Sequence, residues 1–168
     1  MTLHTQPSLL ATPSDLDEAG RETVAAGLRR LVADLFALYV KTKNYHWHMS
    51  GRHFRDYHLL LDEQSQQILA AIDPVAERGR ALGFATLRSV GEIAQLQRIA
   101  DDDTPSVRAH DMLTTLAADN QVLAQGMREL HARCDEANDV ATASILENYI
   151  DEAERRTWFL FETTREID

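Results

Sequence analysis

Cysteine occurs once in the 168 residues, at Cys134, so the chain can form no disulfide within itself. A single thiol fits a reducing compartment. Lysine is almost as scarce, with only Lys41 and Lys43, and residues 1–20 hold no Lys or Arg at all. That stretch carries Asp15, Asp17 and Glu18 instead, within a net charge of −10. Phosphate contacts dominate nucleic-acid affinity, so this balance disfavours a nucleic-acid binder and favours divalent cations. Glycine (7) and proline (4) are few, and 44% of the residues are hydrophobic, which describes a helical globular chain rather than a disordered one. No run of 18 apolar residues occurs, and no basic stretch followed by an apolar one opens the chain. A soluble, cytoplasmic protein is expected. Neither strand-like alternation nor a fixed repeat competes with the helical pattern.

What remains is helical periodicity. Residues 1–13, with two prolines, read as a flexible lead-in, and 14–168 as one domain long enough for its own core. Ser14, Asp15 or Asp17 can cap a first helix with Val24, Leu28, Leu31, Val32, Leu35, Leu38 and Tyr39 on its apolar side. Ser50-Gly51 breaks it. A second helix is expected from about Phe54 to Leu82, bent at Pro74 and closed by Gly83. A short amphipathic piece lies at Val90–Leu96, and Asp101-Asp102-Asp103 reads as a solvated turn. A third long helix starts at Thr104-Pro105 or Ser106, with Met112, Leu113, Leu116, Val122, Leu123 and Leu130 facing inward. After a turn at Cys134–Asp139 the last helix runs to about Ile167, with Ile145, Leu146, Tyr149, Ile150, Trp158, Phe159 and Phe161 as core candidates. The fold class is all-α, a four-helix bundle with a short extra helix between helices two and three.

The chemistry concentrates between His46 and Glu77, where five side chains can bind metal: His46, His58, Asp62, Asp73 and Glu77. At about 100° per residue, the four on the second helix fall within roughly 100° of one another, on one face. Such a stripe is commonly a solvated surface. Here His58 with Asp62, and Asp73 with Glu77, are i,i+4 neighbours, which brings donor atoms together. The stripe also runs beside Leu59, Leu61, Ile68, Leu69, Ile72, Val75 and Ala76, where a cation compensates carboxylates near a packed surface. Yet His58 and Glu77 are separated by about 28 Å along the axis, while first-coordination distances are only about 2.0–2.6 Å. One chain cannot close both halves around one ion. Two chains related head to tail by a two-fold axis can.

The offsets of these residues from His46, with His46-Trp47, Gly51, Phe54, Ala76-Glu77-Arg78 and Leu82-Gly83, closely resemble the Dps family, the mini-ferritins. Thr142, Ile145 and Trp158-Phe159 resemble the family's C-terminal pattern more loosely, and the likeness covers about residues 20–165. The resemblance implies a ferritin-like four-helix bundle assembled as a hollow twelve-subunit shell, a homo-oligomeric dodecamer. It implies a di-iron ferroxidase site between two-fold-related subunits, with His46, His58 and Asp62 from one chain and Asp73 and Glu77 from the other. Fe(II) would be oxidised there, preferentially by hydrogen peroxide, and ferric mineral stored inside, for iron homeostasis and protection from oxidative stress. Imidazole and carboxylate ligands suit that metal. No His follows a Glu at the Glu-x-x-His spacing, so a di-iron site within a single bundle is not expected.

The departures matter as well. His48 stands where many relatives have Asn; it points roughly 200° from His46 and reads as a surface or supporting residue. His53 reads as a solvated turn residue, and His4, His110 and His131 as having no partner at ligand spacing. Trp47 reads as a core or interface aromatic, near the site in relatives. Asp135, Glu136 and Asp139 read either as the lining of an iron-entry pore or as a solvated turn. Relatives that condense DNA commonly use Lys/Arg-rich tails, and neither end here supplies one, so DNA binding is expected to be weak or absent. Two alternatives stand beside the ferroxidase: a structural, nucleoid-coating Dps, and a helical assembly protein whose stripe holds zinc or nothing.

Overall fold

The computed structural model describes residues 9–165; expectations for residues 1–8, including His4, and for 166–168, lie outside them. Five helices form: α1 (Glu18–His48), α2 (Phe54–Ala81), α3 (Val90–Leu96), α4 (Ala109–Glu136) and α5 (Val140–Thr164). Among the described residues there is no strand. Short turns make α1–α2 and α4–α5 hairpins. Gly20 faces Ala137 near one end, and Lys41 pairs with Asp119 at 2.7 Å toward the other, so α1 and α4 run in opposite senses. The connection after α2 therefore has to carry the chain back along the bundle, and α3 lies within it against α1, held by an Arg29–Glu92 pair of 2.8 Å.

The apolar spacing of the helices fills one core, in which Leu28, Leu31, Leu38, Leu61, Ile68, Leu113, Leu116, Leu123, Met127 and Leu146 are fully buried. Burying one such side chain stabilises the fold by about 1.5–3 kcal/mol. Helix ends follow local chemistry. Asp17 caps α1 by accepting from Gly20 N at 3.1 Å. Gly83, at φ 95°, ends α2: its N–H bonds Arg80 O and that of Phe84 bonds Gly79 O, a Schellman arrangement that a side chain at position 83 would strain. Pro74 lies on the exposed face, so the carbonyl of Ala70 that loses its partner faces water, and α2 runs through.

Three boundaries differ from the sequence reading. First, α4 begins at Ala109, not near Thr104, because Thr104 N bonds Asp102 Oδ1 at 3.0 Å and so closes a turn rather than a helix. Asp102 is itself half-buried and accepts from the Tyr45 hydroxyl, so the acidic run is an anchor at its centre and solvated only at Asp101 and Asp103. Second, α4 continues through Cys134 to Glu136, and Asn138 makes the turn at φ 56°. Third, α5 ends at Thr164, short of Ile167. Several expected core residues also lie outside the core. Val122, Trp158, Phe159 and Phe161 are exposed, as is Trp47 at 64%.

Candidate metal centre

The last turns of α1 and the first turns of α2 bring His46, His58 and Asp62 together. The two imidazoles stack with centroids 3.7 Å apart and planes at 22°. Each ring bonds the other residue's backbone: His46 Nδ1 to His58 O at 2.8 Å, and His58 Nδ1 to His46 O at 3.0 Å. A carbonyl can only accept, so both Nδ1 atoms carry the proton. In the neutral rings both Nε2 atoms therefore keep their lone pairs, the tautomer a metal requires. The carbonyl of His46 is also one of those a helix C-terminus leaves without an internal partner. The pairing thus follows from where α1 stops.

Asp62 follows His58 by one helical turn, with Oδ1 3.9 Å from His46 Nε2. It already has a cation: Lys43 Nζ sits 2.9 Å from Oδ1, while Gln66 Nε2 donates to Oδ2 at 2.9 Å. The hydrogen bond from Lys43 is the chief reason the Asp62 carboxyl is held below the usual carboxylate range, opposed by some burial. Lys43 also lies 6.0 Å above the Trp47 ring. The sequence reading missed Lys43 as part of the site. Its signal was present, three residues before His46 on the same helical face.

Asp73 and Glu77 stand apart from this group. Both are exposed, one turn from each other on the distal half of α2, with no ion pair to any described residue. Asp73 is 11 residues beyond Asp62 on one helix, about 16 Å along its axis. Among the described residues no cluster of three or more His, Cys, Asp or Glu side chains has the geometry to hold a metal within one chain. The neighbour of Glu77 is tied down: Arg78 donates through Nε to Thr142 Oγ1 at 2.7 Å and through Nη2 to Asp139 Oδ1 at 2.6 Å. Asp139 is thereby buried as the cap of α5, accepting from Thr142 N at 3.0 Å, whereas Asp135 and Glu136 are exposed.

The remaining histidines are placed as follows. His48 is exposed and its Nδ1 donates to Asn44 O at 2.8 Å, which turns it away from His46. His53 is exposed, its ring 5.6 Å from Tyr57. His131 does have partners: Nδ1 is 3.4 Å from Asp135 Oδ2 and Nε2 is 3.1 Å from Glu147 Oε1. The first is an i,i+4 spacing that the sequence reading passed over.

The sequence profile of the ferritin-like domain matches residues 25–168. DNA protection during starvation protein 1 of Deinococcus radiodurans is 35% identical over 145 residues, spanning 86% of this chain and 70% of that protein. The chain belongs to the Dps family. Its bundle is likewise similar to solved members. DpsC from Streptomyces coelicolor superposes with a TM-score of 0.90 at 26% identity, covering 98% of each chain. Dps from Thermosynechococcus elongatus superposes with a TM-score of 0.86 at 26% identity, over 89% of this chain and 95% of that one. The five-helix architecture, with α3 in the long connection, is therefore the Dps form of the ferritin-like bundle. No helix among the described residues is long and apolar enough to cross a membrane.

Proposed function

We propose that this Dps-family chain is an iron-storing ferroxidase whose di-iron site is completed by two chains, with His46, His58 and Asp62 from one and Asp73 and Glu77 from a second copy. The observation that carries this reading is the split donor set. Two imidazoles whose Nδ1 atoms are spent on backbone carbonyls converge with a carboxylate at one end of α2, and two exposed carboxylates without a described ion pair stand on its other half. Neither set alone encloses an ion, and a two-fold axis brings one of each together twice. Nitrogen and carboxylate oxygen donors suit Fe(II), and the carboxylates favour the ferric product.

Fe(II) is the substrate. Two Fe(II) held side by side each give one electron to hydrogen peroxide, which takes up two protons and leaves as two waters. Hydroxyl radical is not released. The chain's residues hold the reactants for this step. The reciprocal Nδ1 bonds fix both rings and leave the Nε2 atoms out of them, and the hydrogen bond from Lys43 holds the Asp62 carboxyl below its usual range. Lys43 must give way when Asp62 takes a metal ion. The ferric product is stored within a hollow dodecameric shell in the cytoplasm, protecting the cell against iron and peroxide together. With a net charge of −10 on each chain, DNA is at most a weak partner.

The test is anaerobic loading of the metal-free protein with Fe(II), then peroxide, recording ferric absorbance and the iron-to-peroxide ratio. The expected result is about two Fe(II) consumed per peroxide, faster than without protein and lost in His58→Ala. Oxidation no faster than the protein-free control overturns the ferroxidase. A steeply salt-dependent gel shift in its place would favour the DNA-coating alternative.

A further inference from the structure

The two oxygens of the Asp62 carboxylate are assigned to different donors. Lys43 Nζ reaches Oδ1 at 2.9 Å, and Gln66 Nε2 reaches Oδ2 at 2.9 Å. Oδ1 is also the atom that stands 3.9 Å from His46 Nε2. An ion about 2.1 Å from each can span that gap. The positive charge of Lys43 thus marks the oxygen at which a metal cation replaces it. Oδ2 is the oxygen left to Gln66.

The two donors respond differently to an incoming ion. The ammonium is repelled by a like charge and withdraws. The amide of Gln66 is neutral, so nothing drives it off, and its N–H continues to hold Oδ2. Gln66 is exposed and lies one turn beyond Asp62 on α2, a spacing at which the two side chains meet without help from another element. From this division of the carboxylate, we infer that Gln66 is a positioning residue that keeps Asp62 a one-oxygen ligand. The inference rests on the ferroxidase reading, in which Asp62 binds Fe(II). With Oδ2 held, Asp62 fills one coordination position rather than two, and the position saved stays open to water or the oxidant. Without the amide, the carboxylate is free to turn and clasp the ion through both oxygens. Losing such a hydrogen bond behind a metal ligand costs about 10–100-fold in affinity or activity.

The test is infrared difference spectroscopy of the assembled protein, labelled with ¹³C-aspartate, on anaerobic addition of Fe(II). A carboxylate bound through one oxygen separates its asymmetric and symmetric stretches widely, and binding through both narrows the gap. Bands that vanish in Asp62→Ala belong to Asp62. Wild type is expected to show the wide gap and Gln66→Met the narrow one, at the same Fe(II) stoichiometry. Peroxide-linked oxidation by the loaded sites is expected to slow about tenfold in Gln66→Met. Methionine is a good helix former and position 66 is exposed, so the variant should fold; Gln66→Ala serves if assembly fails. A narrow gap in wild type, or either readout of Gln66→Met left at its wild-type value, overturns the positioning role. If Asp62→Ala itself binds and oxidises Fe(II) like wild type, the ferroxidase reading at Asp62 falls, and the positioning role with it.

Discussion

Lys43 and Asp62 make a complete ion pair before any metal arrives, at 2.9 Å. In the proposed site the ammonium competes with the ion that Asp62 receives. Lys43→Met should therefore tighten the weaker of the two Fe(II) by about tenfold, since a like charge a few ångströms from the ion is removed. Anaerobic Fe(II) titration measures it; unchanged binding would mean that Lys43 does not oppose the metal. A second residue-scale case is Asp102, held at about pKa 2 first by its bonds from Thr104 and then by the Tyr45 hydroxyl. Its folded value is depressed, so its contribution to stability is present above the ordinary carboxylate range and is lost as pH falls toward about 2. Tyr45→Phe should lower the urea midpoint by a constant amount near neutrality, and the gap should narrow below about pH 4. A gap that stays undiminished down to about pH 2 would assign the loss to packing. At this scale the i,i+4 pairing of His58 with Asp62 and of Asp73 with Glu77 was legible, because that arithmetic needs only helicity. Asp102 was not, since its partner lies 57 residues away on another element, and Lys43 announced only its place beside His46, not its bond to Asp62 19 residues on.

The helices themselves were largely legible, their ends less so. Thr104-Pro105 has the composition of a helix start, but its first N–H is spent on Asp102 Oδ1 in a tertiary anchor, which delays α4 to Ala109. Asn138 takes the left-handed turn that a glycine would announce, and so the end of α4 carried a weak signal. The α4–α5 turn is also where Asp139 joins three elements, capping α5 and anchoring Arg78 of α2. Asp139→Ala removes a cap and leaves the Arg78 guanidinium short of its carboxylate, and should cost about 3 kcal/mol. Chemical denaturation checks this; a loss under about 1 kcal/mol would mean that water replaces the carboxylate there.

For the whole molecule, periodicity identified a bundle but could not say which apolar residues its own core takes up. Trp158, Phe159 and Phe161 follow the helical pattern yet remain exposed on the single chain, as does Trp47. Hydrophobic identity does not specify whether the burying surface belongs to the same chain. The proposed intersubunit centre is testable at this scale. Asp73→Asn/Glu77→Gln shells and His46→Ala/His58→Ala shells should each be inactive in peroxide-linked Fe(II) oxidation. Shells co-assembled from both should recover some activity, because an interface between the two variants restores one intact site of its pair. No recovery in verified mixed shells would place the centre within a single chain.

The crossed bonds between His46 and His58 join the end of one helix to the start of the next, across the 49–53 turn. Neither ring can rotate freely without releasing the carbonyl it holds, and splaying the hairpin end breaks both bonds in one event. Affinity for the ion and cohesion of that hairpin are thereby a single thermodynamic quantity. An ion resting on the two Nε2 atoms would act as a rivet, raising the free energy needed to fray this corner and slowing its hydrogen exchange relative to the rest of α1.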